Sequence, residues 1–225
     1  MSPRHSRRSS NSIVLNSKHI LEIVGSQREA LRAAGIKPAP ALLESIVTYI
    51  ELLLRWNRKL NLTAITDPRE IVTRNFAESF LASRWLSQQE GRLCDVGSGA
   101  GFPGLALKLV LPRWQVILIE PSHKKSAFLA EAVRTLGLRG VQVENCRWEE
   151  SKVAESAVDS ITSRALGSYP ELAEWARGRL RPGGRLILWL GATDAAELSK
   201  LTGWQWEQEP VPGSRERVLL VGCPR

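Results

Sequence analysis

The sequence predicts an α/β fold, a mostly parallel sheet covered on both faces by helices, with a helical region ahead of it. Three observations carry that prediction. Beyond Glu90-Gly91 short apolar runs alternate with stretches of helical period, the strand–helix–strand cadence of a parallel sheet. Before that point apolar residues recur every three or four positions, the mark of amphipathic helices. Between the first apolar run and the helix that follows it stand glycines at 97, 99, 101 and 104, which suit a tight strand-to-helix turn approached closely by a ligand.

Residues 1–17 are Ser- and Arg-rich without apolar periodicity and are expected to form a disordered basic tail. Residues 18–90 are expected to be the helical region. Ile20, Ile23, Val24 and Leu31 mark an early helix, and Lys37-Pro-Ala-Pro40 ends it. Leu42, Leu43, Ile46, Val47, Ile50, Leu53, Leu54 and Leu60 then give one broad apolar face of a long helix. Asp67 before Pro68 predicts an N-cap with proline at the first helical position, opening a helix that runs towards Leu86.

Residues 91–225 are expected to be the sheet domain. Leu93–Val96, Val116–Ile119, Val141–Val143, Val158–Ile161 and Leu186–Leu190 read as strands. Gly104–Leu111, Ser122–Leu136, Pro170–Leu180 and Asp194–Leu201 read as the helices between them. The last run, Arg217–Val221, follows Gly213 too closely for a crossover helix, so an antiparallel hairpin with a strand near Trp204–Glu207 is expected.

The chain has 225 residues, 43% of them hydrophobic, which is enough for a sizeable core. No apolar run approaches the roughly 20 residues of a membrane helix, and the Met1-Ser-Pro-Arg start lacks the apolar stretch of a secretory signal. Cys94, Cys146 and Cys223 form no close pair, so a reducing cytoplasm is expected, with no disulfide framework or metal site. The net charge of +8 invites a polyanionic partner. Half of it belongs to residues 1–20, the tail and the first residues after it, where Arg4, Arg7, Arg8 and Lys18 meet no acid before residue 22. The body is only mildly basic.

Two cofactor readings fit the glycine loop. Gly99-x-Gly101-x-x-Gly104 with Glu120 downstream matches the dinucleotide fingerprint, which would make the chain a nicotinamide-dependent oxidoreductase. Asp95-x-Gly97-x-Gly99-x-Gly101 resembles motif I of class I S-adenosylmethionine-dependent methyltransferases, whose sulfonium and ammonium suit an acidic Asp95 beside the loop, with Arg181-Pro-Gly-Gly184 before the fifth strand as a second likeness. In either reading Glu120 accepts from ribose hydroxyls.

Longer signatures resemble one family. Trp56-Asn57-Arg58-Lys59-Leu60-Asn61-Leu62-Thr63 is similar to the segment that precedes the methyltransferase domain in bacterial small-subunit ribosomal RNA (guanine-N7)-methyltransferase G, formerly glucose-inhibited division protein B. Asp95 to Gly104 with its Phe102-Pro103-Gly104 end, Lys124-Lys125 with Phe128-Leu129, Cys146-Arg147-Trp148-Glu149-Glu150, Ser163-Arg164-Ala165 and Glu216-Arg217 fit in order, over residues 20–222. The resemblance implies a Rossmann-like, mostly parallel seven-stranded sheet with an antiparallel last strand. It also implies S-adenosylmethionine as cofactor and 16S ribosomal RNA, or the assembled small subunit, as substrate.

By position it implies Gly97 and Phe102 on the methionine side of the cofactor, and Trp148 and Glu149 on the adenine side. Arg164 falls between cofactor and substrate and is the implied catalytic residue. Departures stand at Asn75 for the usual His, Glu78 for Asp, and Leu190 for a basic residue.

The chemistry agrees with what is missing. Guanine N7 has an in-plane lone pair and no proton, so methyl transfer to it needs no general base, and His5, His19 and His123 offer no catalytic dyad. Alignment of the reactants would do the work. Arg164 is expected to bind the guanine O6 edge or a phosphate. Arg55, Arg58 and Lys59 form one candidate RNA-binding patch, Lys124 and Lys125 another. Trp56 is expected to pack helices onto the sheet. The chain is expected to act as a monomer without a membrane, and an inactive RNA-binding module of the same fold is the third reading.

Overall fold

The computed structural model describes residues 16–86, 89–164 and 166–225. The expected tail therefore lies, up to residue 15, outside the described residues. Seven strands form one sheet: β1 (Arg92–Val96), β2 (Gln115–Ile119), β3 (Val141–Glu144), β4 (Val158–Arg164), β5 (Leu180–Gly191), β6 (Trp204–Pro210) and β7 (Arg217–Pro224). Their order is β3-β2-β1-β4-β5-β7-β6, and β7 runs antiparallel to both its neighbours, β5 and β6. Strand order reverses between β1 and β4, so their carboxyl ends splay apart there and leave a crevice.

Among the described residues, four helical stretches precede the sheet. α1 (Ser17–Ser26) is capped by the Asn16 side chain, which accepts from the His19 amide. α2 (Arg28–Ala33) follows at once, so the single early helix expected from sequence is broken at Gln27. α3 (Pro40–Leu60) has proline in its first turn and ends on Asn61 at φ 49°, a left-handed cap that asparagine tolerates. The predicted apolar face is buried at Leu43, Ile46, Val47, Ile50 and Leu53, and Tyr49 and Leu52 widen it.

α4, over residues 68–85, begins where Asp67 caps the amides of Arg69 and Glu70. It is not a uniform α-helix. Ile71–Ala77 widens to a π-helix and Leu81–Trp85 tightens to a 3-10 turn. Such widening turns the residues that follow by a fraction of a turn and recurs at functional sites.

The remaining helices are α5 (Gly104–Val110), α6 (His123–Thr135), α7 (Tyr169–Arg179) and α8 (Ala192–Leu198). Two apolar clusters cover the two faces of the sheet. One joins α1 to α6 with Leu93, Leu118, Ile187, Trp189 and Leu219 of the strands. The other joins α7 and α8 with Cys94, Val96, Ile161, Leu188 and Leu220. The helical region thus has no core of its own; its apolar faces close one side of the sheet. Cys94 is a buried hydrophobe, as its place within a strand predicts, and burial raises its thiol well above the usual value.

Candidate active site

The glycine loop is stitched together from within. The amides of Gly97 and Ser98 both donate to the Ile119 carbonyl, at 2.9 and 3.1 Å, tying the end of β1 to the end of β2. The Gly99 amide donates to Glu120 Oε2 at 2.9 Å, while Oε1 of that carboxylate accepts from the Ser122 amide at 2.9 Å. Gly101 donates to the Ser98 carbonyl at 2.7 Å. From the helical region Tyr49, fully buried, donates its hydroxyl to the Ala100 carbonyl at 2.6 Å. Burial, reinforced by the Asp95 charge, holds that hydroxyl protonated.

Asp95 departs from its expected place beside a charged ligand. Alternation along β1 sends its side chain into the interior, where it is 0% exposed. Oδ1 accepts from Thr162 Oγ1 at 2.7 Å and Oδ2 from the Gly104 amide at 3.1 Å, so the carboxyl anchors the first turn of α5. Desolvation pushes its pKa up to about 6, against the pull of the Thr162 hydrogen bond. Gly104 is glycine for the same reason: a Cβ there would lie 2.7 Å from the Asp95 carboxyl and 2.6 Å from Leu118.

These contacts overturn the nicotinamide reading. A dinucleotide site offers free loop amides to a pyrophosphate. Here the amides of Gly97, Ser98, Gly99, Gly101 and Gly104 are all spent inside the protein. Glu120 also brings a negative charge to the loop where a phosphate would sit. The fingerprint glycines at 101 and 104 serve packing against Tyr49 and Asp95.

Gly97 (φ +71°) does face the open side. It lines a cleft of about 200 Å³ with Ile119, Pro121, Arg147, Trp148, Glu149, Leu166 and Ser168, at the carboxyl ends of β1 and β2 and just past β4. A Cβ at 97 would come within 3.1 Å of Leu166 and narrow the cleft. Trp148 and Glu149 sit on a 3-10 turn, and the Trp148 ring meets Trp175 edge-on at 5.6 Å. Three implied cofactor residues, Gly97, Trp148 and Glu149, therefore converge, with Glu120 bracing the loop behind them.

Phe102 does not present its ring to this cleft. It is 8% exposed and packs against Tyr49 and Phe76 at 5.3 and 5.0 Å in the aromatic cluster under the loop. Arg164 lies on the other face of the sheet, largely buried and bound to Glu78 and to the Arg74 carbonyl. Sequence reading did not single out Tyr49, Thr162, Leu166 or Ser168. Of the other lining residues only Arg147 lies within one of the family signatures.

The sequence model of rRNA small subunit methyltransferase G, GidB, matches residues 42–209. The chain belongs to the GidB family. Its relative from Xanthomonas axonopodis pv. citri, ribosomal RNA small subunit methyltransferase G, is 37% identical over 202 residues, 88% of this chain and 91% of that one. The same-named protein of Halorhodospira halophila is 38% identical over 190 residues, 82% and 88% of the two chains. Among solved structures, a SAM-dependent methyltransferase from Aquifex aeolicus aligns with a TM-score of 0.59 at 17% identity, over 72% of this chain and 96% of that one. M. jannaschii TYW2 in complex with AdoMet aligns at 0.55 and 12%, over 72% and 78%. At that identity the two structures speak for the fold alone, and the fold is that of class I methyltransferases.

The GidB signature around Trp56 is structural at its tryptophan, whose ring packs on Phe128 at 5.9 Å. Asn57 closes the turn after α3 by exchanging two hydrogen bonds of 2.9 Å with Thr63. Arg55, Arg58 and Lys59 are exposed on the last turns of α3. Lys124 and Lys125 open α6, the helix Trp56 packs against. The two predicted basic patches thus sit on neighbouring helices. Two family departures also fall close together: Asn75 is buried in the π-helix, and Glu78 follows it as the buried partner of Arg164.

Proposed function

We propose that the chain transfers the methyl group of S-adenosylmethionine to N7 of a guanine in small-subunit (16S) ribosomal RNA. The observation that carries this is the cleft of Gly97, Trp148 and Glu149 at the switch point of the sheet, in a member of the GidB family. The residues fit the cofactor. Trp148 offers an aromatic wall and exposed Glu149 an acceptor for the adenine amine. Gly97 keeps the methionine side open. Glu120, buried behind the loop, keeps acceptor positions that its two amide contacts leave free and is the implied ribose acceptor. Bound there, S-adenosylmethionine supplies an electrophilic methyl group.

The protein's part is alignment. N7 carries no proton, so no side chain needs to remove one, and holding two reactants in line makes a bimolecular step effectively unimolecular. A bidentate arginine on O6 and N7, the usual guanine contact, would cover the lone pair that must react. Any contact of Arg164 with the base therefore falls on O6 alone. RNA is held by Arg55, Arg58 and Lys59 with Lys124 and Lys125, whose charged ends make no ion pair among the described residues.

The enzyme acts in the cytoplasm, where its RNA is, and as a monomer. In support of a monomer, Leu21 is the only large apolar side chain exposed among the described residues. The test is tritiated-methyl transfer to small ribosomal subunits lacking the modification. Label in N7-methylguanosine of the small-subunit RNA is the expected result. Cofactor binding without transfer to any assembly state would replace this reading with the inactive RNA-binding module.

A further inference from the structure

The buried carboxylate of Glu78 holds two arginines at once. Its Oε2 accepts from Arg164 Nη2 at 3.1 Å and from Arg217 Nη1, and its side chain is only 6% exposed. Arg164 stands at the end of β4, paired in register with Trp189, and Arg217 opens β7 opposite Gly191. The intervening strand β5 therefore carries both guanidiniums to the same edge. Glu78 itself is fixed, because its carbonyl accepts from Trp189 Nε1 at 3.0 Å. The widened π-turn just before it sets the direction from which it enters.

Two guanidiniums against one carboxylate leave an excess of one positive charge. Isolated from Glu78, the two cations would repel each other; sharing one oxygen holds them side by side. Both remain partly open, with 20% and 32% of their side chains exposed. An arginine has five N–H groups. Arg164 uses one on Glu78 and one on the Arg74 carbonyl at 2.9 Å, and Arg217 uses one on Glu78. Most of their donors have no protein partner among the described residues. A preorganised pair of forks with one surplus charge matches a singly charged phosphodiester.

The pair is not part of the cofactor cleft. Phe76 and Trp189, whose indole donates to Glu78, belong to the sheet face under the helical region, whereas Trp148 and Leu166 pack with the apolar cluster of the other face. The geometry points to a phosphate seat: Arg164 and Arg217, yoked by the positioning residue Glu78, grip one backbone phosphate of the substrate RNA beside the methyl-transfer cleft. The inference rests on the reading of the chain as an rRNA methyltransferase and adds Arg217 and Glu78 to its substrate machinery.

The test compares wild type, Arg217→Gln and Arg217→Lys. Binding to unmodified small subunits is followed over a range of salt, and S-adenosylhomocysteine affinity is measured by calorimetry. Arg217→Gln is expected to weaken RNA binding about tenfold and to lower the slope of log affinity against log salt by about one. Arg217→Lys should keep the slope and recover part of the affinity, since it keeps the charge and loses the fork. S-adenosylhomocysteine affinity should not change.

Unchanged RNA affinity and slope in Arg217→Gln, with its unfolding midpoint intact, would overturn the inference. So would a loss confined to S-adenosylhomocysteine, which would assign the pair to the cofactor's carboxylate. Should Arg217→Gln fail to fold, a slope in Arg217→Lys lower than wild type overturns it equally. Absence of methyl transfer by wild type would count against the proposed function instead, and the salt slopes would still report on the seat.

Discussion

Replacing Gly101 by alanine sets a methyl group against the hydroxyl of Tyr49. The added Cβ would fall well inside van der Waals contact with that oxygen and 3.0 Å from Leu105 Cδ1, and the backbone there has φ +85°. Positive φ costs an L-residue about 1–2 kcal/mol, and overpacking adds about 1–3 kcal/mol. The expected loss for Gly101→Ala is therefore about 2–5 kcal/mol. Tyr49→Phe removes the hydroxyl and orphans the Ala100 carbonyl, at about 1–3 kcal/mol. In the double variant the collision with the Tyr49 hydroxyl is gone, so Gly101→Ala then costs the backbone strain and the tight contact with Leu105. The double-mutant cycle should show a favourable coupling of about 1–3 kcal/mol, the Tyr49 share of the overpacking. Equilibrium urea unfolding of the four proteins, with equal m-values, reads it directly. Additivity within about 0.5 kcal/mol would refute the argument that Gly101 is glycine to admit Tyr49.

Asp95 gives a pH signature. Its folded-state pKa of about 6 lies above the ordinary carboxylate value, so between the two the folded protein holds the proton more tightly than the unfolded chain. Stability from this group falls as pH rises through that window and is flat above it; the wild-type minus Asp95→Asn difference in unfolding free energy at pH 5 and 7.5 should show that sign, and the opposite sign would mean the carboxyl is not desolvated. Trp148→Ala should raise the Kd for S-adenosylhomocysteine about tenfold, near 1.4 kcal/mol. Calorimetry checks it, and an unchanged Kd would leave Trp148 as a mere partner of Trp175. Reversing Arg58 and Lys59 together to glutamate should weaken RNA binding most at low salt, make it less steeply dependent on salt and leave S-adenosylhomocysteine binding alone, as filter binding across salt concentrations would reveal.

What the residue pattern alone determined is the order and type of the elements. Alternating apolar runs placed all seven strands, and the short link after Gly213 required the antiparallel hairpin that β6 and β7 form. These features are local: strand pattern, proline, caps and loop length act within a few residues. The family signatures likewise marked Gly97, Trp148 and Glu149, which the fold does bring to one cleft.

Only the tertiary structure decided which way each functional side chain points. Asp95 stands in the motif, yet strand alternation and the close approach of Gly104 turn it inward as an anchor. Phe102 follows it into the core because Tyr49 and Phe76 arrive from segments far away in the sequence. The Arg164–Glu78–Arg217 cluster joins residues 86 and 139 positions apart and depends on a π-turn that no propensity announces. Local sequence sets backbone conformation through short-range sterics and hydrogen bonds. The partners of a buried charge come from wherever the chain returns, and that is known only once the chain has folded.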